Sequence, residues 1–212
     1  MRESPFEKVS APREHLSASV RAVRKRPALW FLMGAVACSA VASEGIDRLT
    51  QLHFTQAFGT PFVWFGAISI GAMVAAILLT QVTDGTGMRG LAVLQVGAAV
   101  SAFVLAASGW FWPAAVASVL LSAVRDAARP TMITWITERT EPGSRATVFS
   151  FLGQVDAAGE MAGGPPLGLT AERYGIRVAL GAAAGALAGG VPLLGLAASK
   201  SESASVRQAA TE

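Results

Sequence analysis

The chain has 212 residues, of which 52% are hydrophobic and 15% charged, with a mean hydropathy of +0.48; soluble domains carry about 25% charged residues, so a purely aqueous fold is excluded. Its one cysteine, Cys38, rules out an internal disulfide framework and a cysteine-based metal site. The formal charge of +3 at pH 7 comes from basic residues clustered beside apolar runs, a pattern of membrane topology rather than of a nucleic-acid-binding face.

Residues 1–26 are rich in charge and hold no apolar core of the kind a secretory signal needs, so they read as a cytosolic segment. Within them, Leu16, Val20 and Val23 recur at helical spacing among Arg21, Arg24, Lys25 and Arg26. That pattern predicts an amphipathic helix on an anionic membrane surface, over residues 13–26.

Six apolar runs follow, at about residues 27–52, 61–82, 90–108, 110–137, 146–170 and 177–198. Each has roughly the 20 residues that a helix needs to cross a hydrocarbon core of about 30 Å. Short polar breaks separate them: FTQAFGT (54–60), TDGTGMR (83–89), a turn at Ser108 and Gly109, TERTEPGS (137–144) and AERYGI (171–176). The expected architecture is an all-α integral membrane bundle over 27–198, followed by a disordered cytosolic tail over 199–212.

Six crossings place both termini on one side. With that side cytoplasmic, it holds twelve basic residues, from Arg2 through Arg26 and then Arg89, Arg139, Arg145, Lys200 and Arg207, against Arg173 and Arg177 outside. Positive charge concentrates on the cytoplasmic side of membrane proteins, so both termini are expected in the cytoplasm and the bundle in the plasma (inner) membrane.

In the sixth run Gly181, Gly185 and Gly189 repeat at spacing four, which predicts close helix packing. In the fifth, Gly159 and Gly163 share a face, while Gly163, Gly164, Pro165 and Pro166 predict a kink or a break in the backbone ladder. Broken helices persist at membrane depth only where protein or a water-filled cavity satisfies the freed carbonyls, so this helix is expected to line a cavity. Trp30, Trp64, Trp110, Trp112 and Trp135 sit mostly near the ends of runs, where indoles anchor the interface.

Three stretches carry a resemblance. SEGIDRLTQLHF (43–54), the long segment 125–168 from RDAARPTMITW to GGPPLG, and the loop TDGTGMRG together resemble the second half of bacterial major facilitator superfamily transporters. In that loop Asp84, Gly87 and Arg89 match the family's motif, whereas Thr80 replaces its leading Gly and Gly85 its basic residue. Gly164, Pro165 and Gly168 are similar to the G-P-x-x-G of the family's antiporters, although that motif belongs to the equivalent helix of the first half. The resemblance covers nearly the whole chain. It implies a six-helix carboxy-terminal half of a twelve-helix fold, with the substrate site between halves near the midplane. Residues 1–26 then resemble the end of the linker joining the halves, which implies a truncated or split gene.

The function implied is secondary transport or efflux of a small molecule, proton-coupled, with membrane lipid and a second six-helix half or a homodimer as partners. The alternative is a non-transporting product that needs a separate first half. No cofactor or nucleic acid is implied. An intramembrane hydrolase needs a nucleophile beside a His within the bundle; His15 and His53 lie at the ends of runs and belong to no metal-ligand pattern, so neither an enzyme nor a metal site is expected.

Charges inside spanning runs cost about 2.5 to 3.5 kcal/mol each at mid-bilayer and must face a cavity, a partner or an interface. Glu44, Asp47 and Arg48 share a helical face, about 26 Å along the first run for Glu44, near the outer boundary. They are expected to form a Glu44–Arg48 salt bridge or an outer gate. Arg125, Asp126 and Arg129 occupy one arc of the fourth helix, about 22 to 28 Å from the outer side, and suggest a cytoplasmic gate network pairing Arg129 with Asp84 or Asp126. Asp156 and Glu160, with Gln154 beside them, lie about 16 to 22 Å from the inner side. They are candidates for a proton or substrate pathway, the other reading being that Asp156 pairs with an arginine of another helix.

Overall fold

The computed structural model describes the backbone of residues 27–209 and the side chains of residues 27–201. The linker 1–26 with its expected surface helix, and residues 210–212, lie outside the described residues. Six helices follow in order: α1 (Pro27–Phe58), α2 (Val63–Thr83), α3 (Gly87–Ala107), α4 (Phe111–Arg139), α5 (Pro142–Tyr174) and α6 (Ile176–Ala209).

Five of them, all but α5, are long and apolar enough to cross a membrane. At 33 residues α5 has ample length, but Arg145, Asp156, Glu160, Glu172 and Arg173 dilute its apolar surface. Three boundaries differ from the sequence reading. α1 continues through the FTQAFGT stretch to Phe58, because Phe54 and His53 are buried against the bundle and extend its apolar face past the polar letters. From Ser199 the helix continues as far as Ala209, where the sequence reading expects a disordered tail, because adding residues to a helix already nucleated upstream carries no new nucleation cost. And α5 runs unbroken through Gly163, Gly164, Pro165 and Pro166.

The glycines of α5 serve packing. A Cβ on Gly159 would stand 2.5 Å from that of Ala40, and one on Gly163 only 2.6 Å from the Cα of Val41. On the other side of the seam, Gly45 leaves room for Leu167, whose Cγ would be 3.2 Å from an added Cβ. The contact pairs 40 with 159, 41 with 163 and 45 with 167 advance together, so α5 runs parallel to α1 along their common seam. α6 runs antiparallel to α1, with Gly34 against Leu193 and Cys38 against Gly189.

Gly181 and Gly185 meet nothing within 4 Å, so among the described residues the expected close packing of the spacing-four stripe is made only at Gly189, 3.9 Å from Cys38 Sγ. The tight glycine of α6 is Gly190, whose Cβ would lie 2.8 Å from the Gln95 amide nitrogen. Most of the core consists of small and aliphatic side chains in two clusters. One, toward the Phe58 end of α1, holds Ile46, Phe54, Leu105, Leu121 and Leu180; the other, toward the Pro27 end, holds Leu32, Trp135, Ile136, Val148 and Leu194. Trp135 is thus buried under the Arg139 guanidinium, 5.1 Å from its ring centre, rather than an interfacial anchor. Outward, α2 and α3 present Ile70, Val74, Ile77, Val93, Val100 and Phe103, the apolar surface that lipid covers in a membrane bundle.

Candidate functional site

Six of the charged residues within the helices converge on one concavity. A cavity of about 710 Å³, open along one side, takes lining residues from all six helices. Its polar wall is Asp47 from α1, Arg125, Asp126 and Arg129 from α4, and Asp156 and Glu160 from α5. Helical spacing explains the grouping: Arg125 and Arg129 are one turn apart, as are Asp156 and Glu160, and each pair projects from one face. The volume lies within the range of about 300 to 1,000 Å³ typical of small-molecule sites.

Arg125 carries the bonds across this wall. Its Nη1 donates to Asp47 Oδ1 at 2.6 Å, and its Nη2 donates to Asp47 Oδ2 at 3.1 Å and to Ser43 Oγ at 2.7 Å. The depths counted along the sequence put Asp47 near one boundary of the membrane and Arg125 near the other, yet the two are bonded. The helices overrun the hydrocarbon: α1 is 32 residues and α4 29, or about 48 and 44 Å at 1.5 Å per residue. Counting depth from a run's first residue therefore misplaces both, and Arg125 stands mid-length in α4.

The other sequence candidates divide. Glu44 and Arg48 form an i,i+4 ion pair on α1, facing a second groove of about 570 Å³ between α1 and α5 that Glu160, Gly164, Pro165 and Gly168 also line. Asp84 lies apart, in a cavity of about 320 Å³ at the Thr83 end of α2, with Arg89, Glu138 and Arg139. The pairing of Arg129 with Asp84 or Asp126 is not made: among the described residues the ion pairs join Arg48 to Glu44, Arg125 to Asp47 and Arg139 to Glu138. Nor, among the described residues, does Asp156 pair with an arginine of another helix. Gln154 is exposed and lines none of these three cavities, because it projects from the opposite face of α5 to Asp156. Among the described residues no group of three or more His, Cys, Asp or Glu could hold a metal ion.

Three cavity residues escaped the sequence reading. Ser43 completes the bonding of Arg125. Gln95 donates to the Leu187 carbonyl of α6 at 2.8 Å and accepts from Ser39 Oγ of α1 at 3.1 Å, so one amide ties three helices. Gln95 is the one strongly polar side chain between Leu91 and Ser101, and such a residue in an apolar helix commonly bonds across to a neighbour; that signal was available.

No family model matches the sequence, and a search of curated proteins finds no relative. A search of solved structures finds likeness to one described as a bacterial homologue of the human lysosomal transporter Spinster, in an inward-facing and unoccupied conformation. The TM-score is 0.59 at 16% identity, over 94% of this chain and 53% of that one. The all-helical fold is like that of this transporter homologue. At this identity the likeness speaks to fold, and the chain spans about half the length of the protein it matches. With five helices long and apolar enough to cross a bilayer, the bundle is a multi-pass membrane protein.

Proposed function

We propose that the chain is one six-helix half of a secondary transporter of the major facilitator type, moving a small molecule through the charged cavity with proton coupling. The observation that carries this reading is the placement of Asp47, Arg125, Asp126, Arg129, Asp156 and Glu160 on one open concave wall, in a bundle otherwise sheathed in apolar side chains. Intramembrane charges are costly and mark pathways. An open wall needs a facing wall, which a second six-helix half or a second copy of the chain would supply, placing the substrate near the midplane.

In this reading α5 is the sixth crossing. Its seam with α1 runs parallel over residues 40–45 and 159–167, so a membrane crossed by α1 is crossed by α5 in the same direction. Both termini then lie on one side, and the basic residues put that side in the cytoplasm of the inner membrane. Asp156 and Glu160 are the proton or substrate carboxylates; Arg125 and Asp47 hold the wall in shape.

The test is proton movement in vesicles carrying the chain with its facing half, followed by an internal pH dye across a panel of candidate solutes. Asp156→Asn is expected to slow solute-dependent proton movement by at least roughly tenfold, the equivalent of 1.36 kcal/mol. Gln154→Ala is expected to leave it unchanged. Equal rates in Asp156→Asn and the parent would remove Asp156 from the pathway.

A further inference from the structure

The six helices form two layers joined along one edge. α1, α5 and α6 pack together, α2 and α3 both pack on α4, and α3 against α6 is the long seam between the layers. Across the opposite edge, α1 and α4 meet only sparsely, as do α4 and α5. Two bodies joined along one edge can part along the other unless something ties them there.

Two ties are present, and they are stacked. Toward the Phe58 end of α1, the ring of Phe111 from α4 stands 5.8 Å from that of Phe54 and 6.1 Å from that of Phe58. Below them Arg125 reaches from α4 to α1 with three bonds, two to Asp47 and one to Ser43. A planar guanidinium engaged through both prongs by a carboxylate fixes direction as well as distance. On α1 the cavity wall extends from Leu32 to Asp47 and stops there. On α1 the Arg125–Asp47 pair thus marks the limit of the cavity toward Phe58, while Ser122 of α4 and Ser69 of α2 line it further that way, with the aromatic rings beyond.

We infer that the Arg125–Asp47–Ser43 cluster is an intramolecular clasp that holds α1 and α4 together and, with the Phe54–Phe58–Phe111 rings, shuts the cavity at its Phe58 end within this one chain. Closure at that end then needs no contact with a facing half. The two tiers divide the work: the rings exclude water without directional preference, whereas the clasp sets the angle between α1 and α4 and is broken by loss of a single charge. Toward the Pro27 end no comparable bond joins α1 to α4 among the described residues, so that edge is left free to part.

The test measures distance rather than transport, so it stands or falls apart from the proposed function. In a Cys38→Ser background, spin labels at Gln51→Cys on α1 and Val116→Cys on α4, both exposed positions, report the separation of the two helices by pulsed electron paramagnetic resonance on the full chain in lipid nanodiscs. The parent is expected to give one narrow distribution. Asp47→Asn is expected to broaden it and shift its mean by about 1–2 Å or more, the scale of helix shifts in switching proteins. Arg125→Lys keeps the charge but loses the fork, and is expected to broaden it too. Exchanging the charges with Asp47→Arg and Arg125→Asp is expected to narrow it again. A distribution unchanged in both single variants would overturn the clasp, and so would an exchange that restores nothing.

Discussion

Gly163→Ala is expected to destabilise the bundle by about 1–3 kcal/mol or more, the range for overpacking a filled interior. The new methyl has nowhere to go: Val41 presents backbone, its Cα 2.6 Å and its carbonyl carbon 2.7 Å from the added Cβ, and backbone cannot rotate aside as a side chain can. Either α1 and α5 separate along their whole seam or one of them bends. Gly168→Ala, one turn beyond on the same helix, meets nothing within 4 Å. There the only change is helix propensity, which favours Ala over Gly by about 1 kcal/mol. Gly185→Ala on α6 is likewise expected to be tolerated. Thermal unfolding of the purified variants in detergent checks all three, and equal midpoints for Gly163→Ala and Gly168→Ala would show that the α1–α5 seam is not tight.

Phe54→Ala is expected to cost about 3–5 kcal/mol, the range for deleting a fully buried aromatic ring. Phe54 is wholly buried and its ring meets those of Phe58, Phe65 and Phe111 at 5.7, 6.2 and 5.8 Å, tying the ends of α1, α2 and α4 into one knot. The alternating edge-on geometry adds to the burial. Phe62, a few residues further along, is 89% exposed; its truncation is expected to change stability by no more than about 0.5 kcal/mol. A chemical or thermal melt of the two variants side by side distinguishes a packed knot from a loose end.

The two sites also show what the sequence can and cannot tell. The six runs were legible because twenty consecutive apolar residues bounded by polar turns leave few other solutions, and five of the six starts fall within three residues of the helices' own. Phe54 was not legible: it opens a stretch, FTQAFGT, whose local composition is that of a loop, and only the neighbouring helix ends make its ring a core residue. The glycines of α5 were seen, but two functions compete for a glycine. Beside Pro165 and Pro166 they look like helix breakers, and the backbone of α1 pressed against Gly163 makes them packing residues. Spacing also misled at Gly181, Gly185 and Gly189, where a repeat says that a face is smooth and not which neighbour lies on it.

The candidate site was legible as a set of residues and not as a set of bonds. Charges within apolar helices announce themselves, and of the ten ionisable and amide positions singled out, six line the main cavity. Their partners depend on how far each helix overruns the bilayer and on which helices are neighbours, neither of which local spacing encodes. So spacing matches Arg129 with Asp84 or Asp126, whereas in the structure Arg125 bonds to Asp47, 78 positions away.

The central claim is that α5 crosses the membrane despite its charges. It is tested most directly by placing single cysteines on its two flanks, Glu141→Cys and Tyr174→Cys in a Cys38→Ser background, and treating intact cells with a membrane-impermeant thiol reagent. The parallel seam with α1 puts positions 141 and 174 on opposite sides, and with the basic residues cytoplasmic it predicts labelling from outside at 174 and protection at 141 until the cells are permeabilised. Both positions reacting from the same side would place α5 along the surface and contradict the account.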